Sequence, residues 1–336
     1  MAKSGIIGAG SWGCALAFVL DRNGHQVTIW SVMDDEIAML KEKHEHIDKL
    51  PGVILSNRIT FTTDLKEAVE GMDFLVLAVP SAFTRSTANK MASFVKPNQI
   101  IISVAKGIEE NTLMTLTEII EEEIKEADAA VLCGPSHAEE VGKELPTTLV
   151  AGAKSKQTAE YIQSVFMNEV FRVYTSPDVL GMELGGALKN VIALAAGMAD
   201  GLGYGDNTKA ALITRGIAEI ARLAVCMGAN PETLNGLTGI GDLIVTCASR
   251  HSRNRKAGML MGRGLTMQQA MDEVKMVVEG VYSAKAAIAL GKKYQVSMPI
   301  IEQVNQVLFE DKPAKDAVTE LMLRDKRSEY TTLEWG

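Results

Sequence analysis

Between a short apolar run at residues 4–8 and the helical stretch CALAFVLDRNG, the chain places GAGSWG, and a second apolar run, QVTIW at 26–30, follows. This is a strand–turn–helix–strand unit of about 30 residues, with glycine at the first, third and sixth turn positions. Gly8 permits the tight turn, Gly10 lets the backbone approach a pyrophosphate, and Gly13 lets helix and strand pack closely. The helix N-terminus then offers unpaired N–H groups to phosphate. A glycine pattern alone is weak evidence; placed after a strand and before an amphipathic helix, it reads as a dinucleotide-binding turn.

The alternation continues. FLVLAVP (74–80) has the near-continuous apolar character of a buried parallel strand, and QIIISVAKG (99–107), AAVLCGPS (129–136) and TTLVAGA (147–153) read the same way. Helical patterns at about 34–45, 84–94, 112–126 and 155–168 separate them. The expectation is an α/β chain that opens with a doubly wound Rossmann-type sheet. Ligands of such a sheet sit beyond the carboxyl ends of its strands. Pro80-Ser81, Lys106-Gly107 and Gly134-Pro135-Ser136 collect there.

From about residue 178 strand runs vanish, and helical patterns at 178–202, 207–228, 281–294 and 299–309 take over. The sequence thus predicts a dinucleotide-binding domain at 1–185 and an all-helical substrate-binding domain at 186–336. The acidic run EIIEEEIKEAD (118–128) reads as a solvated helix face.

Bulk properties narrow the function. A net charge of −8 argues against a non-specific binder of nucleic acid or anionic membrane. An anionic ligand must therefore be met by a local cluster of cations. Cys14, Cys133, Cys226 and Cys247 are scattered without a C-x-x-C pair, which suits buried thiols in a reducing cytoplasm and no metal site. The N-terminal apolar run is too short for a secretory signal. Lys189 interrupts the most apolar stretch, so stable membrane insertion is not expected.

That lysine demands a reason. LGGALKNVIALAAGMA (184–199) is apolar, glycine or amide everywhere except Lys189, and a buried ammonium is costly without a partner. Gly185 and Gly186, one turn earlier, leave room for close approach. Burial and nearby cations lower a lysine pKa toward the working pH, as proton transfer requires. The competing reading is a lysine that snorkels from the edge of a core helix. Lys106 emerges at the end of a buried strand, where the ligand belongs. Residues 237–258, LTGIGDLIVTCASRHSRNRKAG, add Asp242, Thr246, Ser252, Arg253 and Asn254 in one of the more basic stretches, with Arg250, Arg255 and Lys256. Arginine with Ser and Asn suits phosphate; a solvated basic turn is the bland alternative.

Taken in order, GAGSWG, VP with Phe83 shortly after, SVAKGIE (103–109), GPSHAEEV (134–141), ELGGALKNVIALAAGMADGLGYGDN (183–207), GIGDL (239–243), SRNR (252–255) and VVEGV (277–281) carry a resemblance over essentially the whole chain. It resembles the NAD(P)-dependent glycerol-3-phosphate dehydrogenase family of bacterial type. The resemblance implies that Lys189 is the proton donor and acceptor, with Lys106 reaching both substrate and cofactor. It implies that dihydroxyacetone phosphate, or sn-glycerol 3-phosphate, has its phosphate held by Arg253, Asn254 and backbone near Gly134 and Ser136. Asp242, Thr246 and Ser252 would orient the site. For NAD(H) or NADP(H), Gly8, Gly10, Ser11, Trp12 and Gly13 are implied contacts, followed by Val32, Phe83 and Ala138 and then Arg253, Val277 and Glu279. A biosynthetic role in the cytoplasm, feeding glycerophospholipids, is implied. Oligomeric state stays open, with a homodimer among the candidates.

One stretch departs from the family. Many bacterial members carry arginine after the second strand to meet an NADP 2′-phosphate, whereas this chain has Ser31, Val32 and Met33, then Asp34 and Asp35. The acidic pair lies near where a carboxylate accepts the ribose hydroxyls of NAD. Lys43 and Lys49 remain within reach of a 2′-phosphate, so cofactor preference stays open. Two alternatives also stand: another two-domain hydroxyacid-type dehydrogenase with a catalytic lysine, which should lack SRNR with GIGDL, and a non-catalytic nucleotide-sensing module, which should lack Lys106 or Lys189.

Overall fold

The computed structural model describes residues 1–326, 328 and 329; the remaining positions, at the end of the expected second domain, lie outside the described residues. Eight strands form one sheet: β1 (Lys3–Ile7), β2 (Gln26–Trp30), β3 (Thr60–Thr62), β4 (Phe74–Leu77), β5 (Ile100–Ser103), β6 (Asp128–Cys133), β7 (Thr147–Ala153) and β8 (Phe171–Ser176). Their order is β3-β2-β1-β4-β5-β6-β7-β8, which reverses between β1 and β4. Helices cover both faces. Ile6, Phe74 and Val76 bury one way with Leu16 and Leu20 of the helix Ser11–Arg22, and Ile7, Leu75 and Leu77 bury the other way. Alternate residues of one strand thus feed two cores, so these strands read as continuous apolar runs.

The first six strands pair in parallel, but β7 runs antiparallel to β6, and β8 is parallel to β7. This corrects the reading of TTLVAGA as one more parallel strand. A parallel return needs a long crossover, and the connection carries only the four-residue helix Ala138–Val141. The sequence also gave no sign of β3 or β8. The first is three residues long, and the second alternates buried and exposed positions instead of forming a continuous apolar run.

The acidic run is more than a solvated face. Ile119 and Ile120 bury, Glu118 completes a capping box with Thr115, and Arg85 pairs with Glu109, Glu122 and Glu123. Among the cysteines, Cys14, Cys133 and Cys247 are buried free thiols, while Cys226 is exposed, against the expectation that all would be buried.

Asp178 caps the helix Val179–Gly201 by accepting from the Gly181 N–H at 3.0 Å. This helix runs through positions 185 and 186, and the chain beyond it is helical. By length and composition it could cross a membrane, yet every residue from Gly181 to Ala199 is buried within the protein. Around it pack Asp206–Cys226, Arg253–Gly262, Glu279–Tyr294 and Pro299–Phe309. Arg253–Gly262 docks especially closely. A Cβ on Gly197 would sit 2.1 Å from the Arg255 carbonyl oxygen, and one on Gly258 would sit 2.1 Å from that of Leu194. Backbone contact of this kind fixes where the basic stretch lies relative to Lys189.

Candidate active site

Lys189 has its reason in Asp242. Their charged groups meet at 2.8 Å, with Lys189 4% and Asp242 1% exposed. Thr246, one helical turn after Asp242, accepts from Lys189 and donates to the Asp242 carbonyl at 2.6 Å. Lys106, at the carboxyl end of β5, reaches the other Asp242 oxygen at 2.6 Å and the Gly134 carbonyl at 3.1 Å. One carboxylate therefore lies between two ammonium groups. The approach depends on Gly186, where a Cβ would stand 3.0 Å from Cys133 Sγ and 3.6 Å from the Lys106 stem.

The charges are uneven. Burial holds the Lys189 ammonium below its ordinary value, with Lys106 adding to the effect and Asp242 opposing it. For Lys106 burial pulls the same way, but Asp242 overcomes it and the net shift is upward. Asp242 is held low because the two lysines outweigh its own desolvation. A buried lysine made easier to deprotonate, facing the carboxyl ends of the strands, is suited to exchanging a proton with a bound ligand.

Of the basic stretch, Arg253 is exposed and stands at the first position of the helix Arg253–Gly262, and Ser252 caps that helix by accepting from the Arg255 N–H at 3.2 Å. The Asn254 side chain is committed elsewhere: it donates to Asn190 at 3.0 Å and accepts from the Gly280 N–H at 2.8 Å. What Asn254 retains for an anion is its backbone N–H in the first helical turn. Arg255 is bound to Asp200 at 2.6 Å, while Arg250 and Arg253 are exposed without an ion pair among the described residues, and the charge of Arg253 acts on Lys106. Ser136 donates to the Gly134 carbonyl at 3.0 Å.

The glycine turn fits a dinucleotide. Gly8, at φ 123°, lies so close to β4 that a Cβ would stand 2.8 Å from the Ala78 backbone, whereas a Cβ on Gly10 would meet nothing within 4 Å. Gly10 also supplies no side-chain cap to the helix Ser11–Arg22. The first-turn N–H groups of Ser11, Trp12 and Gly13 are thus free to receive phosphate on the open side. Trp12 packs partly against the sheet core, Ala138 begins the short helix after β6, and Phe83 is 56% exposed in the turn after β4. Val277 is partly buried ahead of Glu279. Glu279 accepts from the Ser81 N–H at 3.0 Å and from its hydroxyl, joining the sheet to the helical part of the chain. Burial pushes this carboxyl up, against the Ser81 bonds and Arg253.

At the end of β2, Val32 and Met33 are exposed apolar groups, and Asp34 and Asp35 open the helix Asp34–Lys43. Ser31 is buried and donates to Glu36 at 2.7 Å; His46 and Lys49 bind the same carboxylate. Their hydrogen bonds, His46 first, hold Glu36 at about 2. Lys49 is therefore already paired, and only Lys43 of the two candidate lysines stays exposed without an ion pair among the described residues.

Reading the residues placed Ser81 at the carboxyl end of the sheet without its tie to Glu279, and missed Asn190 and His137. Asn190 directly follows Lys189, but only the folded chain brings it to Asn254. No group of metal-ligating side chains occurs among the described residues.

Family models described as NAD-dependent glycerol-3-phosphate dehydrogenase N-terminus and C-terminus match residues 3–159 and 178–319. A glycerol-3-phosphate dehydrogenase (NAD(P)+) of Agathobacter rectalis is 74% identical over 335 residues, covering 100% of each chain. One of Bacillus subtilis is 52% identical, covering 99% of this chain and 97% of its own. A crystal structure of glycerol-3-phosphate dehydrogenase from Coxiella burnetii superposes with a TM-score of 0.93 at 35% identity, over 96% of this chain and 99% of that one. With the glycine turn, the lysine pair and the helical second half all in place, the chain belongs to the NAD-dependent glycerol-3-phosphate dehydrogenase family.

Proposed function

We infer that Lys189 gives a proton to the ketone oxygen of dihydroxyacetone phosphate as it is reduced to sn-glycerol 3-phosphate, and takes it back in the reverse reaction. The observation that carries this reading is the buried Lys189–Asp242 contact at 2.8 Å. When bound, NAD(P)H supplies the hydride that reaches the ketone carbon. Asp242 and Thr246 keep the Lys189 amine in one place, which saves the cost of organising it at each turnover. Lys106, held as a cation by Asp242, draws electron density toward the developing alkoxide from the sheet side.

Arg253 and the N–H groups of its first helical turn are the groups we assign to the phosphate, with backbone near Gly134 and Ser136 across from them. Glu279 and Phe83 close the nicotinamide side, and the turn at Gly8–Gly13 takes the pyrophosphate. We place the division of labour at the start of the central helix, with residues 1–185 for cofactor and 186–336 for substrate. Four thiols without a disulfide fit action in the cytoplasm, where the product would feed glycerophospholipid synthesis. The test is oxidation of NADH and of NADPH by the purified protein with dihydroxyacetone phosphate; no oxidation of either would overturn the reading.

A further inference from the structure

His137 lies within reach of the charges of the same cluster, and the proton-transfer scheme does not use its side chain. It follows β6 at the start of the helix Ala138–Val141. Its Nε2 is buried and has no hydrogen-bond partner, an arrangement that costs free energy until something fills it. Its ring lies 5.9 Å from that of His251, tilted by 51°, so one imidazole from the sheet side meets one from the loop ahead of Ser252 and Arg253. The charges that act on it are those of Lys189, Lys106, Asp242 and Glu139, three of which belong to the reacting cluster.

We propose that His137 Nε2 is a substrate contact that recognises the free hydroxyl of dihydroxyacetone phosphate, on the carbon that does not carry the phosphate. Burial, then the charge of Lys189, holds this imidazole below its ordinary value, which favours its neutral form. A neutral ring nitrogen suits a hydroxyl, which both donates and accepts, better than a phosphate dianion, which calls for a cation such as Arg253. The charges that reach His137 include Lys189, Lys106 and Asp242 of the reacting end. The residue would thus select hydroxymethyl ketone phosphates over phosphates lacking that hydroxyl. A site built to bind a hydroxyl leaves a buried polar atom unpaired when the hydroxyl is missing, and this is the basis of selection.

The proposal rests on the dihydroxyacetone phosphate reading, and turnover of that substrate by the parent protein, measured first, tests that reading separately. The selective experiment compares dihydroxyacetone phosphate with hydroxyacetone phosphate, in which a methyl replaces the hydroxymethyl group. The analogue serves as a substrate, or as a competitive inhibitor if it is not turned over. In the parent, dihydroxyacetone phosphate should be preferred. His137→Phe, which keeps the ring and removes its nitrogens, should cut that preference by about tenfold. The Michaelis constant for NADH should stay within about twofold. His137→Gln, which restores hydrogen-bonding atoms, should recover part of the preference, and it carries the test if the phenylalanine variant does not fold. Equal losses on both phosphates would overturn the assignment and point to a structural or phosphate-binding role. An unchanged preference in both variants would overturn it as well.

Discussion

Lys189 donates to Asp242 across 2.8 Å in a part of the protein almost closed to water, and that contact gives a buried ammonium, otherwise costly, a fixed partner. Removing Asp242 leaves Lys189 uncompensated, which costs several kcal/mol, whereas Asp242 without Lys189 still holds Lys106 at 2.6 Å. The two residues stand on different helices, Val179–Gly201 and Asp242–Ala248. The site therefore forms only when those helices pack.

Lys189→Ala should leave cofactor binding near normal while turnover drops by about 10²–10⁴-fold, the usual contribution of general acid–base catalysis. Fluorescence titration with NADH and steady-state rates separate the two effects. A purified variant within about threefold of parental turnover would refute the proton-transfer role.

The direction of the Lys189 shift sets the pH response. Ketone reduction needs the ammonium, so its rate should fall as pH rises through the lowered lysine pKa; alcohol oxidation needs the amine and should rise over the same range. Asp242→Asn removes the anion that favours the charged form, so the reduction limb should move acid by about one unit or more. An alkaline displacement, or none, contradicts the arrangement. The measurement is kcat against pH in both directions.

Arg253→Ala should raise the Michaelis constant for dihydroxyacetone phosphate strongly, because charge-assisted bonds to phosphate are about twice as strong as neutral ones. Unphosphorylated dihydroxyacetone should be a poor substrate for the parent and nearly indifferent to the change. Equal losses on the two substrates would mean that Arg253 has another task.

Cofactor choice should favour NADH at least as much as NADPH in kcat/KM at moderate ionic strength. Asp34 and Asp35 repel a 2′-phosphate, and Glu36 holds Lys49. Val32→Arg should shift the ratio toward NADPH by about tenfold or more, since about 1.4 kcal/mol is enough for tenfold. Glu36→Gln, by releasing Lys49, should shift it in the same direction. A parent enzyme that prefers NADPH by more than about tenfold contradicts this account and points to Lys43, or to Lys49 leaving Glu36.

Glu183 bears on stability. Burial pushes its carboxyl up to about 7, against hydrogen bonds from Thr117. An unfolded glutamate titrates near 4.3. Because the folded pKa is the higher one, the contribution to stability is complete below about 4.3 and is lost as pH rises through about 7. Glu183→Gln should therefore reduce the loss of unfolding free energy between about pH 5 and 8 by a few kcal/mol. Denaturant unfolding at the two pH values reads this directly; a loss as steep as the parent's would show that Glu183 is ionised in the fold without penalty.

What the sequence determined by itself was local. Residues 4–30 commit to strand, glycine turn, helix and strand because the backbone freedom of Gly8 and the apolar spacing around it act over a few positions. The isolation of Lys189 in an apolar helix was equally plain, since burial of its neighbours could be read from their identity. Only the tertiary structure decided that Asp242 would lie between Lys106 and Lys189, that Asn254 would be spent on Asn190 and Gly280, and that Glu36 would claim Lys49. It also decided the reversal of β7, whose connection from β6 carries only a four-residue helix. Such pairings join residues far apart in the chain, and they follow from how closely whole helices and strands approach. Gly186, Gly197 and Gly258 set that approach, but their effect depends on the atoms opposite them, side chains for Gly186 and backbone for the other two, which no neighbouring residue specifies.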